Sequence, residues 1–311
     1  MINFSEFTFP SADGKTMIHV NKWEPADKPV KAVVQIAHGV AEYGKRYDEF
    51  ASFLCENGYV VVANDHLGHG ESLIEDAPMV YFGEENGWWN VVDDVETLRD
   101  KTHLEYPDVP YFLFGHSMGS FISRSHLIRY KGRLDGCILC GTGFLAKPMV
   151  LGGKMIASME IRRLGKKGYS KVADNLAFGA YNKKFAPNRT NFDWVSLSEE
   201  NVDAYIADPL CGGNTTLGLF RDLLDGLTYV NSKANISTMD KDQPVLFISG
   251  DQDPVGEMGK AVTKAYNAFK DAGLRDVKIK LYKGLRHEIL NEHEHQKVFD
   301  DVLNWLEDKI K

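Results

Sequence analysis

The segment Gly115-His116-Ser117-Met118-Gly119 sets a serine between two glycines, directly after the apolar run Tyr111 to Phe114 and before a helical pattern that begins near Ser120. A strand, a sharp turn and a helix in that order push a serine hydroxyl into the open, and the flanking glycines leave room for the neighbouring strand and helix. A hydroxyl is a poor nucleophile until a base takes its proton, so a histidine must reach the same sheet edge. Ten histidines are present. His287 has the right context, because Lys283-Gly284-Leu285-Arg286-His287-Glu288 follows the last strand-like run and precedes the final helical one. His38, His66, His69 and His116 read as hydrogen-bonded structural residues, and His293 and His295 as solvated helix residues. A third group, a carboxylate that orients the imidazole, falls in Ser249-Gly250-Asp251-Gln252-Asp253-Pro254, where both aspartates are candidates by position. The negative charge that develops in acyl transfer needs backbone donors, and the candidates are the N–H groups of Met118 and, in His38-Gly39-Val40, of Val40.

These residues must be carried by a scaffold that delivers them to one edge. Val33 to Ala37, Tyr59 to Ala63, Tyr111 to Phe114, Cys137 to Cys140, Val245 to Ile248 and Val277 to Leu281 are short, mostly apolar runs of the kind that form buried parallel strands. Helical patterns near 46–57, 89–105, 118–130, 257–272 and 293–309 lie between and after them. That alternation predicts a parallel sheet with helices on both faces. Phe4 to Phe9 and Thr16 to Trp23, joined by the turn residues Ser11-Ala12-Asp13-Gly14, add an antiparallel hairpin and bring the expected sheet to eight strands. The alternation stops after Cys140 and resumes at Pro244. Residues 1–142 and 236–311 are therefore expected to form an α/β core, and residues 143–235 a helical cap inserted over the carboxyl ends of the strands.

Composition narrows the function classes. With 43% apolar and 26% charged residues in 311, the chain reads as globular. No basic and apolar leader opens it and no run approaches a membrane span, which predicts a cytoplasmic protein. Cys137-Ile138-Leu139-Cys140 has the spacing of half a zinc site, but no second pair exists, and within a strand its thiols would face opposite ways. No metal is expected. A formal charge of -8 argues against nucleic acid as a partner. The sequence does not state the oligomeric form.

Charge is uneven, however. Residues 143–189 carry ten lysines and arginines against Glu160 and Asp174, about +8. Leu151, Met155, Ile156 and Met159 recur there at helical spacing, with Lys154, Arg162 and Arg163 outside that set. Such a stripe either packs onto the sheet domain or adsorbs, with the basic side chains, to an anionic lipid interface.

Three segments together, His38-Gly39-Val40-Ala41-Glu42-Tyr43-Gly44-Lys45-Arg46-Tyr47, Asp65-His66-Leu67-Gly68-His69-Gly70-Glu71-Ser72 and Gly115-His116-Ser117-Met118-Gly119, resemble the monoacylglycerol lipase and lysophospholipase branch of the α/β-hydrolases, a serine aminopeptidase S33-type group. Phe192-Asp193-Trp194-Val195-Ser196 and Asp208-Pro209-Leu210-Cys211-Gly212 are similar to the bacterial lysophospholipase-like members. The resemblance implies an α/β-hydrolase fold, places the acid in a Gly-x-x-Asp element and so selects Asp253, and matches the oxyanion donor after His-Gly to Val40. It further implies a cofactor-independent hydrolase of monoacylglycerol or lysophospholipid esters, small-molecule lipid substrates included. A general carboxylesterase or a serine aminopeptidase would use the same residues under a different cap, and a non-enzymatic hydrolase-fold protein would be expected to have lost one of them.

Overall fold

The computed structural model describes residues 1–310. Its strands are β1 (Ile2–Pro10), β2 (Met17–Pro25), β3 (Ala32–Ala37), β4 (Tyr59–Asn64), β5 (Tyr111–His116), β6 (Gly136–Cys140), β7 (Val245–Gly250) and β8 (Val277–Tyr282). They form one sheet in the order β1-β2-β4-β3-β5-β6-β7-β8. β1 pairs antiparallel with β2 and β2 with β4, while every later pair is parallel. This is the expected eight-stranded, mostly parallel sheet.

The strands that read as continuous apolar runs, β3 to β7, are buried along their whole length, because helices cover both faces. β8 lies at the edge, and Lys278 and Lys280 break its apolar run there, charges that discourage a further strand from pairing. On one face, α1 (Asp48–Glu56) and α10 (His295–Lys309) pack Phe50, Phe299 and Trp305 against Phe112 and Phe114. On the other, α2 (Gly87–Glu105), α3 (Met118–Arg129) and α9 (Lys260–Asp271) bring Val91, Ile122 and Phe269 onto Leu113 and Phe247. The thiols of β6 fall on opposite sides as expected, Cys137 in the second core and Cys140 in the first, both free.

Between β6 and β7 the chain leaves the sheet through α4 (Lys147–Leu164), α5 (Lys171–Ala177), α6 (Glu199–Ala207), α7 (Leu217–Val230) and α8 (Lys233–Ile236). α7 is no loose cover: Leu219, Phe220, Leu224 and Leu227 join the core, each worth about 1.5–3 kcal/mol of burial. Arg124 of α3, fully buried, ties down both ends of this excursion. Its guanidinium donates to the carbonyls of Gly143 at 2.8 Å and Val230 at 3.0 Å and to Asn231 Oδ1 at 2.8 Å.

The apolar stripe of α4 does not pack as a core face. α4 buries Val150, Gly153 and Ala157, and a Cβ on Gly153 would lie 3.1 Å from Leu224 of α7. This close, small-residue contact turns Leu151, Met155 and Met159 outward, where they are 55%, 64% and 62% exposed. Only Ile156 is half-buried. Among the described residues, no helix is long and apolar enough to cross a membrane.

Candidate active site

The elbow after β5 forms because its neighbours allow nothing larger. A Cβ on Gly119 would overlap the Ala37 carbonyl, and one on Gly115 the Gly119 carbonyl. Ser117 itself sits at φ 52°, ψ -118°, a region that disfavours any side chain, and its N–H is held by the Cys140 carbonyl at 2.9 Å. Strain of this kind, fixed by packing on all sides, aims the serine side chain into a cavity of about 520 Å³.

His287 reaches the same cavity from the loop after β8. Its Nδ1 lies 2.9 Å from Asp253 Oδ2, on the loop after β7. Asp253 is fully buried, and it also accepts from the Val255 N–H at 2.9 Å and the Ser249 hydroxyl at 3.2 Å, so the carboxylate cannot swing away. With Nδ1–H donated to Asp253, Nε2 is left with its lone pair for the serine proton. Asp251 is elsewhere: it accepts from the Gly284 N–H at 2.8 Å and the Gln252 amide at 2.9 Å and makes no bond to His287. Of the two aspartates, geometry joins Asp253 to the histidine.

Two backbone donors meet this edge. Met118 opens α3, so its N–H has no intrahelical acceptor. In the loop after β3, Gly39 donates its N–H to the buried Glu42 carboxylate and so is taken, and the Val40 N–H expected to serve as the second donor comes next in that loop. Gly39, Val40 and Ala41 all line the cavity, and Ala41 turns the loop with φ 54°.

The other histidines divide as follows. His38, His66 and His69 cluster in the interior, with His38 Nε2 accepting from the His66 N–H at 2.8 Å, and none lines the cavity. Burial lowers all three, His69 to about 3, so they stay neutral. His293 precedes α10 rather than lying in it, and His295 opens that helix beside Glu49 at 3.1 Å. Among the described residues no group of three or more histidine, cysteine or acidic side chains could hold a metal ion.

A serine and a histidine paired with a buried carboxylate at the carboxyl edge of a parallel sheet are the side chains that acyl transfer uses. Known proteins resemble this chain over most of its length. The model of the family described as serine aminopeptidase, S33, matches residues 28–294. The monoacylglycerol lipase of Mycolicibacterium smegmatis is 30% identical over 306 residues, covering 97% of this chain and 96% of its own. The chain belongs to the S33 family. The mouse monoglyceride lipase is 28% identical and aligns with 96% of this chain and 89% of its own. A thermostable carboxyl esterase from Bacillus coagulans, solved with glycerol, superposes with a TM-score of 0.91 at 28% identity, over 99% of each chain. The sheet and its connections are thus those of an α/β-hydrolase.

This S33 chain also holds a polar assembly behind the site that sequence reasoning missed. Glu42 accepts from the Gly39 N–H, from Tyr47 Oη at 2.9 Å and from Arg46 at 2.8 Å, and lies 3.1 Å from His116 Nδ1. Arg46 binds Glu288 through two nitrogens, and Asn201 of α6 donates to the same carboxylate at 2.8 Å. Burial would lower His116, but the hydrogen bond and charge of Glu42 outweigh it and raise the imidazole. His116 Nε2 faces the His287 carbonyl at 3.3 Å. From the inserted segment, Trp194 lays its ring against His287 with centroids 5.2 Å apart, and the Val195 carbonyl accepts the Glu288 N–H at 2.8 Å. The one sequence signal was position: Glu42 and Arg46 stand in the same motif as Val40, and Glu288 follows His287.

Proposed function

We propose that this S33 member hydrolyses carboxylic esters through an acyl-enzyme, with monoacylglycerol or lysophospholipid-type esters as substrates and Ser117, His287 and Asp253 as its triad. The observation that carries the reading is the 2.9 Å bond from the buried Asp253 to His287, which lines the same cavity as Ser117. Ser117 Oγ attacks the ester carbonyl while His287 Nε2 takes its proton, and Asp253 holds the ring in the tautomer this needs. The carbonyl oxygen, now negative, is met by the Val40 and Met118 N–H groups. His287 returns the proton to the departing alcohol, and water repeats the cycle on the acyl-serine. Protein groups and water suffice for every step.

Residues 143–235 act in this reading as a cap. Their lining residues, Phe178, Phe192 and Trp194 among them, give the cavity apolar wall for an acyl chain. The exposed Leu151, Met155 and Met159 of α4, with Val172 and Leu176 of α5, form an outward apolar face beside the basic residues of 143–189, fit to touch an anionic lipid interface. The lipases named above support the choice of ester. The test is a fluorophosphonate adduct on Ser117, located by mass spectrometry, together with turnover of glycerol monoesters, lysophospholipids and aminoacyl amides. A labelled serine with turnover of the amides alone would replace the esterase reading by a peptidase one.

A further inference from the structure

The cavity and the surface around it carry opposite charge. Residues 143–189 hold ten lysines and arginines against two acids, yet no lysine or arginine stands among the described residues that line the cavity. The carboxylates there are Glu42, Asp174 and Glu288. Arg46 answers the two glutamates from behind the wall, at 2.8 Å from each. No ion pair answers Asp174 among the described residues. It lies on α5, partly buried, one turn past the Ser170 that caps the helix. Tyr169 lines the same wall, its phenol raised by burial and then by the Asp174 charge. Around them stand aromatic faces, Phe178 and Trp194, and the neutral amides of Asn175 and Asn182.

We infer that Asp174 makes this cavity select its ester by charge: a substrate bearing a cationic centre, a quaternary ammonium above all, is preferred to its counterpart without one, and one of net negative charge is rejected. The inference rests on the ester-hydrolase reading and names the substrate class of that same site. Asp174 lines the same cavity as Ser117, and salt screens such a charge over a length of about 10 Å at 0.1 M. Aromatic faces add the cation–π attraction that quaternary ammonium ligands use. An anionic group would shed water there and find no lysine or arginine in return. A basic outer surface that met anionic lipid would then not make that lipid the substrate.

The experiment measures kcat/KM of the full chain for butanoyl esters of choline, glycerol and glycerol 3-phosphate, with Asp174→Asn and Asp174→Lys, at low and high salt. The wild type is expected to rank choline over glycerol by roughly tenfold, the scale of one partly screened charge pair, and glycerol phosphate last. Asp174→Asn should bring the choline to glycerol ratio near one, and Asp174→Lys should raise the phosphate ester's rank. High salt should shrink the wild-type ratio, a readout that survives if either variant fails to fold. A ratio indifferent to both salt and Asp174→Asn overturns the inference, as does a wild-type preference for the phosphate ester. Calorimetric titration with choline itself needs no catalysis. Choline binding that weakens several-fold in Asp174→Asn, with no ester turned over, sinks the hydrolase reading while supporting charge selection by Asp174.

Discussion

Arg46 grips Glu288 through both ends of its guanidinium, at 2.8 and 2.9 Å, one residue beyond His287. The pair is buried, and the same arginine holds Glu42. Removing one partner of such a set leaves charge stranded in the interior, which costs about 3–5 kcal/mol. Arg46→Met should therefore lower stability by that amount in urea unfolding near neutral pH. Arg46→Lys, which keeps the charge and loses the two-point grip, should lose less stability but still lower kcat. Equal stability of Arg46→Met and wild type would show that the pair contributes nothing.

Asp253→Asn should cut turnover by roughly four orders of magnitude, because an amide at Oδ2 favours the wrong imidazole tautomer. Asp251→Asn, which alters only the bonds to Gly284 and Gln252, should cost less than about tenfold. Steady-state kinetics on one soluble ester would rank them, and the reverse order would remove Asp253 from the triad.

Val40→Pro deletes the N–H assigned to the oxyanion. Turnover should fall about a hundred- to a thousand-fold with KM little changed. A folded variant with normal kcat would take that N–H out of the mechanism, whereas Val40→Ala, which keeps the donor, should remain close to wild type.

The sheet was legible because β3 to β7 are buried on both faces and so announce themselves as unbroken apolar runs, and because the glycines at 115 and 119 have no room for a side chain. Ser117 and His287 followed from their places after strands. What the sequence could not choose from residue types was Asp253 over Asp251. Two candidates two residues apart differ by which way a loop turns, and that is set by bonds from Val255 and Ser249 that no local pattern encodes. Glu42, Arg46 and Glu288 stayed hidden for a related reason: charged residues usually mark a surface, and only tertiary contact across 242 positions pairs Arg46 with Glu288 in the interior. The α4 stripe allowed two readings, a packed face or a lipid-facing one, and spacing could not choose because the close helix contact is made by Gly153 and Ala157, outside the stripe.

Asp94 gives a pH prediction away from the site. Buried beneath the β1–β2 turn, it accepts from Ser11 Oγ at 2.8 Å and the Ala12 N–H at 2.6 Å, and burial outweighs those bonds to push its carboxyl up to about 7. Asp222 is raised to about 7 as well, again by burial. A carboxyl with a raised folded pKa binds more protons folded than unfolded, so each group should make stability fall as pH rises from about 4 to 7, by at most about 1.4 kcal/mol per pH unit. Asp94→Asn should flatten part of that slope, and Asp222→Asn a further part. Parallel curves of stability against pH for wild type and Asp94→Asn would mean that Asp94 titrates normally.

The outward face of α4 and α5 predicts how the enzyme meets its substrate. Met155 and Met159 lie 64% and 62% exposed with Arg162 and Lys171 exposed nearby in sequence, so apolar insertion and charge attraction would act together. Binding to vesicles containing phosphatidylglycerol should then weaken as salt rises past physiological strength, while vesicles of phosphatidylcholine alone bind less at every salt. The variants must separate the two contributions. Lys166 and Lys167 are poor choices, because they bind the Glu84 and Asp76 carbonyls and their reversal would disturb that loop as well. Arg162→Glu with Lys171→Glu should remove most of the salt-sensitive binding, and Met155→Ser with Met159→Ser should weaken binding while leaving its salt slope in place. Turnover of a short soluble ester should stay near wild type in both pairs, since none of the four lines the cavity. If co-sedimentation with anionic vesicles is absent, or is unchanged by both pairs and by salt, α4 and α5 only cover the site and the ester reaches Ser117 from solution.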